Sequence, residues 1–248
     1  MNYYLVIWIA VTVFLLVFWF WSLFVLYKQK QVWKAFAKSK GLRYRSNSML
    51  DSPEISGLYK DYKVYLFTAE HDAAGGRYPR RLTSIEITIK TVLPGALAVA
   101  SGGMVQVVEE LNFVSEYRPE QHGWDNSYIA RSRDETAMKD YLTGRRVQAL
   151  INLMKLNNSW LILFFSSGLG LLRLDTPDPL SDLKKLNDYL NKLIESAQIV
   201  ELEKGESEKL ALKAQLKSQT QTRQKAKEIE APENILDQHL GLVLEDDD

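Results

Sequence analysis

Residues 1–27 carry no charged side chain, and the first charge in the chain is Lys28. Within that stretch, residues 5–26 are apolar or aromatic except for Thr12 and Ser22. A bilayer core takes about 20 apolar residues of helix. This run supplies that with about one turn to spare, which tilt absorbs. In hydrocarbon every backbone N–H and C=O must bond within its own segment, so an isolated span is helical. Tyr3, Tyr4 and Tyr27 stand at the two ends, where aromatic rings favour the interface. The pattern predicts a transmembrane anchor over 1–27, touching lipid through residues 5–26. A cleaved signal peptide has a basic start, a shorter apolar core and a small-residue cleavage site. Here no Lys or Arg precedes the run, and Tyr27-Lys28-Gln29-Lys30 follows it.

Charge predicts the direction of the span. Lys28, Lys30, Lys34, Lys38, Lys40, Arg43 and Arg45 come before the first acidic residue, Asp51. The positive-inside rule then puts the N-terminus outside and the soluble part in the cytosol. The expected location is a membrane crossed once. Lys and Arg together equal Asp and Glu, at 31 each in 248 residues, so no global field draws the chain to nucleic acid. It has no cysteine, which excludes disulfides, thiol catalysis and Cys-based metal centres.

Residues 28–41 read as a juxtamembrane helix, with Val32, Trp33 and Phe36 on one face and Gly41 as its stop. Residues 42–202 read as an α+β soluble domain. Strand signals come first. Ile55–Tyr59 and Lys63–Thr68 flank a turn at Lys60-Asp61, and Ile85, Ile87 and Ile89 alternate with Glu86, Thr88 and Lys90. Pro94-Gly95 reads as a turn that returns Ala96–Ala100 as the partner of Ser84–Thr91, giving a four-strand meander. A short helix over Met104–Leu111 and a strand over Ser127–Ala130 follow. Two helices then open at Asp134 and Thr143, the second with Val147, Leu150, Ile151 and Met154 at helical spacing. Trp160–Phe165 is a buried strand, and Ser166-Ser167-Gly168 turns the chain into Leu169–Leu174. A last helix carries Leu183, Leu186, Leu190, Leu193 and Ile194, capped by Asp178 or Ser181. Short turns imply antiparallel pairing, so the expected fold is a largely antiparallel sheet with helices packed on one face. From residue 203 to 248 the composition is polar, too poor in apolar residues to offset chain entropy.

The order of anchor, Trp-bearing helix, Ile55-Ser56-Gly57-Leu58-Tyr59 hairpin, Trp124-Asp125 to Ile129 and the Thr143-Gly144 helix pair resembles a loose group of uncharacterised bacterial single-span membrane proteins with an α+β soluble domain. The resemblance covers residues 30–198. It implies a fold and a bacterial source, and with it a bacterial cytoplasmic (inner) membrane as the location, and carries no functional residue.

No catalytic, cofactor-binding or metal-binding signature stands in the chain, so no cofactor is expected. His71-Asp72, with His122 and Asp125 from another loop, supplies metal or acid–base side chains only if the fold joins the two loops. Ser167-Gly168-Leu169-Gly170 lacks the Gly-Lys-Ser/Thr ending of a phosphate loop and reads as a hairpin turn. Arg77, Arg80 and Arg81 form a basic loop suited to an anion or a lipid phosphate. Arg145-Arg146 opens a helix against its dipole, which a bound anion or a carboxylate would relieve. Glu109-Glu110 and Glu116 with Glu120 read as solvated carboxylates. In the tail, Ile235, Leu236, Leu240, Leu242, Val243 and Leu244 form an apolar island over 235–244, suited to folding on a partner protein. The sequence thus predicts a membrane-tethered, non-catalytic interaction or assembly module. A peripheral anionic-lipid-sensing domain and an enzyme with a loop His/Asp site are the alternatives.

Overall fold

One helix, α1 (Tyr3–Lys40), carries both the apolar run and the amphipathic turns behind it. Its 38 residues make about 57 Å of helix. It is long and apolar enough to cross a membrane, and the apolar window has no buried residue. Past that window the helix enters the domain, burying Gln29, Trp33, Phe36 and Ala37. It stops where Gly41 takes φ +67° and Leu42 N–H donates to the Ala37 carbonyl at 2.9 Å, a Schellman ending that only a residue without Cβ adopts freely. The computed structural model describes residues 3–48, 50–71, 80–166, 168–213 and 216.

The elements that follow are β1 (Arg43–Arg45), β2 (Glu54–Tyr59), β3 (Tyr62–His71), β4 (Arg80–Ile89), β5 (Leu97–Ala100), α2 (Met104–Glu109), β6 (Ser115–Glu116), β7 (Ile129–Ser132), α3 (Glu135–Tyr141), α4 (Gly144–Met154), β8 (Trp160–Ser166), β9 (Leu169–Thr176) and α5 (Leu183–Val200). Among the described residues the strands form one sheet in the order β1-β2-β3-β4-β9-β8-β5-β7-β6. Every pairing in it is antiparallel. The turn between β2 and β3 has φ +50° at Lys60 and +64° at Asp61, the handedness that matches strand twist in a two-residue hairpin.

One expected pairing is corrected. β5 does not return beside β4; it pairs with β7 and β8, while β4 pairs with β3 and β9. The β8–β9 hairpin is inserted between them. Pro94-Gly95 therefore ends a crossover, not a hairpin. The physical reason is burial. Leu161, Leu163, Leu172 and Leu174 are fully buried, and strands this apolar belong in the centre of a sheet.

Register makes the core. Ile55, Leu66, Ile85, Leu174 and Leu161 lie in one cross-strand row, each at most 2% exposed. On this face sit α4, through Val147, Leu150 and Ile151, and α5, through Leu186, Leu190, Leu193 and Ile194. The edge of Tyr141 meets Phe165 there, and its hydroxyl donates to the Val200 carbonyl at 2.6 Å. Trp33 and Phe36 of α1 join the same core. The opposite face is mostly open. Among the described helices the short α2 packs there, its Met104 and Val108 against Ala98, Ala100, Ile129 and Ile162.

The caps differ in part from expectation. The Asp134 carboxylate accepts from Thr136 and Ala137 N–H at the start of α3. Thr143 precedes α4 without a side-chain cap bond. Asp182, neither Asp178 nor Ser181, caps α5 by accepting from Lys185 N–H. Asp178 instead accepts from Leu180 N–H at 2.7 Å and pairs with the Lys185 ammonium. Residues 1–204 form one compact unit. A second begins at Gly205 and is helical over 206–213.

Candidate functional site

Strand pleating puts alternate residues on the open face. On β9 these include Arg173 and Asp175; on β4, Ser84 and Glu86; on β3, Tyr65 and Phe67; on β8, Trp160 and Ile162. At their centre is Asp175, whose side chain is 0% exposed. Arg173 grips that carboxylate with two donors, Nε to Oδ1 at 2.8 Å and Nη2 to Oδ2 at 2.9 Å. His71, at the end of β3, brings Nε2 to 2.5 Å from Asp175 Oδ2. The carboxylate requires that nitrogen to carry the proton. Arg173 Nη2 also lies 3.2 Å from His71 Nε2, a meeting of two donors over one oxygen rather than a bond between them.

The surroundings complete the cluster. Arg173 Nη2 donates to Ser84 Oγ at 3.3 Å, and its guanidinium stands 5.2 Å from the Phe67 ring centroid. The His71 ring meets Trp160 edge-on at 5.5 Å. Trp160 in turn occupies the space left by Gly102 and Gly103. A Cβ on Gly102 would come within 2.2 Å of that indole, and Gly102 has φ +59°. Burial pushes the Glu86 carboxyl above its ordinary range, with Arg173 pulling the other way and Asp175 adding to the rise.

The cluster resembles an acid–base dyad only in outline. A His–Asp pair activates a nucleophile when the second imidazole nitrogen faces one and the carboxylate serves the histidine. Here Asp175 is held chiefly by Arg173, and Ser84, the nearby hydroxyl, is fully buried and accepts from the same arginine. The groups satisfy one another. Beside them β1, β2 and β3 enclose a groove of about 330 Å³, lined by Arg43, Arg45, Glu54, Ser56, Tyr65 and Phe67 among others. It offers two guanidinium groups and two aromatic rings.

Of the residues singled out in the sequence, His71 belongs to this cluster, and the others that are described fall elsewhere. His122 and Asp125 lie beside α4: Gly123 approaches Ile151 and Lys155, and Gln121 bonds Gln148. His71 is on the opposite side of the sheet, on Asp175, and so does not meet His122 or Asp125. Asp125 instead accepts from Ser127 Oγ and N–H, bonds that hold its carboxyl below the ordinary range. Among the described residues no group of three His, Asp or Glu side chains could hold a metal ion. Arg146 is buried, donates to the Tyr141 and Glu201 carbonyls and stacks on Tyr141. It is thus a structural tie between α4 and the end of α5. Arg80 and Arg81 open β4 and are exposed, with Arg81 Nε 2.9 Å from Glu70. Arg77, Asp72 and the island Ile235–Leu244 lie outside the described residues.

Sequence reasoning passed over Arg173 and Asp175. Their signal was present: opposite charges two apart in a strand share a face. What could not be seen was that His71, a hundred residues away in the chain, completes the cluster.

These features define a class, an α+β domain with a nine-stranded antiparallel sheet on one long apolar helix. No known protein family matches the chain, and no curated protein does. Among solved structures, the crystal structure of the mycobacterial trehalose monomycolate transport factor A, TtfA, is similar to 70% of this chain and 96% of that one. The identity is 12% and the TM-score 0.41. A likeness at that level bears on neither activity nor partner.

Proposed function

We propose that this chain is a membrane-tethered, non-catalytic interaction or assembly module, anchored once in a bacterial inner membrane with its domain on the cytosolic side. The observation that carries the reading is the behaviour of α1. Its large apolar side chains from Leu5 to Trp21 are exposed, and the same helix is then buried at Trp33 and Phe36 in the domain core. Exposed apolar surface of this extent needs a bilayer. The lysines that follow support the cytosolic orientation. Two observations support a non-catalytic role: the buried charges satisfy one another, and the open sheet face presents Tyr65, Phe67 and the arginine-lined groove. The segment Ile235–Leu244 is a second proposed partner contact, on composition alone.

The test is in-cell photo-crosslinking on the full chain, with a photoreactive residue at Tyr65 or Thr88 on the open face. Lys192, on α5, is the control. A discrete adduct of one size from the open-face positions alone is expected. No adduct, or the same adducts from all three positions, counts against the module. Turnover of a substrate that depends on His71 or Asp175 would replace it with an enzyme.

A further inference from the structure

We infer that the end of the domain nearest the anchor beds into anionic phospholipid headgroups, through Lys28, Leu50, Arg80, Arg81, Leu183 and Lys184. This rests on the tethered reading of α1. The last residue of the apolar run is Leu26, and Gln29 is already buried against the domain. Three residues of helix rise about 4.5 Å. Headgroups add roughly 5–8 Å on each side of the hydrocarbon. The domain therefore begins inside the headgroup layer, with no linker that would let it swing away. Side-chain burial agrees: Leu23, Val25 and Leu26 are half-covered, while Leu5 to Trp21 are exposed apart from Thr12.

The register says which residues stand at that end. Lys40 Nζ donates to Tyr59 Oη at 3.2 Å, and Lys30 Nζ to the Ser48 carbonyl at 2.6 Å. The Lys40 level therefore matches the β2–β3 turn, and the Lys30 level matches the loop after β1, two residues before Leu50. β3 runs from that far turn back toward the anchor and ends at His71, opposite Arg80. Its length is about 30 Å, against about 18 Å of helix from Lys40 to Lys28. Asp175 stands at the level of Phe67, about 17 Å along β3 from Tyr62, so even with His71 turned onto Asp175 the end of β3 reaches the level of Lys28. On the other side, α5 packs against α1, and just past its end Glu201 accepts from the N–H of Lys90, whose ammonium stands 4.3 Å over the Tyr62 ring at the far turn, so α5 runs back about 27 Å from there to its start. That puts Leu183 and Lys184 beside the anchor.

The chemistry at this end fits a charged lipid surface. Arg80 has no side-chain partner among the described residues, and Arg81 shares only an exposed pair with Glu70. Leu50 and Leu183 are exposed at 65% and 42%. Apolar side chains amid basic ones enter the boundary between headgroups and acyl chains while the cations meet phosphate.

The test uses the full chain, which has no native cysteine, in nanodiscs of phosphatidylcholine with or without phosphatidylglycerol. A fluorophore at Glu70→Cys reads the hairpin end, and one at Lys63→Cys reads the far end of the same strand. The quencher is a lipid spin-labelled on its headgroup. With phosphatidylglycerol, quenching at 70 exceeds that at 63 by about twofold or more, and each of R80Q, R81Q and K184Q weakens docking about fivefold. Equal quenching at 70 and 63 overturns the inference, as does quenching at 70 indifferent to lipid charge and to these substitutions. A chain that does not co-elute with nanodiscs refutes the tether, and the docking with it.

Discussion

Asp175 is the residue on which the open face depends. A fully buried carboxylate is stable only while its partners remain, and removing one partner of a buried ion pair costs about 3–5 kcal/mol. Arg173→Met should lower unfolding stability by about that amount in the detergent-solubilised chain. Adding Asp175→Leu should recover most of the loss, because no orphaned charge is left. Glu86 behaves differently. Its carboxyl is raised by burial, so the folded state prefers it protonated. An acid with a raised folded-state pKa contributes stability below its unfolded pKa and loses it as pH rises through the folded value. Glu86→Gln should therefore be more stable than the parent at neutral pH, and the difference should vanish as pH falls below the carboxylate range. Denaturant unfolding at pH 7 and pH 4 checks it; a gain that persists unchanged at pH 4 would count against burial as the cause.

At the scale of elements, the seam between α1 and the domain decides whether α1 is held rigidly. Trp33 is 0% exposed and lies at that seam with Phe36 and Ala37. Trp33→Ala should cost about 3–5 kcal/mol and let the domain move on its helix. The unfolding midpoint would fall, and hydrogen exchange over 29–40 would rise ahead of the rest of the domain. Most elements could be read from periodicity. The turn at Lys60-Asp61, the Asp134 cap and the alternating Ile85, Ile87 and Ile89 signal their structure within a few residues. The partner of β4 could not be read this way. Proximity in sequence favoured Ala96–Ala100, but pairing is settled by the burial of strands found seventy residues later. The cap of α5 slipped for a smaller reason: Asp178 and Asp182 are both good acceptors, and the turn through Leu180, at φ +49°, decides which one faces the helix amides.

For the whole molecule, orientation is the open quantity, and the absence of cysteine makes it measurable. Val114 is 89% exposed. Val114→Cys should resist a membrane-impermeant maleimide in intact cells and react after lysis, as the lysine cluster requires. Labelling before lysis would reverse the orientation and turn the search for partners to the envelope.

Local order carried the long apolar helix, its length and the charge asymmetry behind it, because hydropathy and flanking charge act on a segment regardless of what folds around it. It carried the α+β class for the same reason, since each strand and helix shows its own period. The sheet order, the meeting of His71 with Asp175 and Arg173, and the docking of α1 into the core were decided only in three dimensions. Each joins residues tens to a hundred positions apart, and such contacts arise from competition among apolar faces for one interior, which no local pattern records.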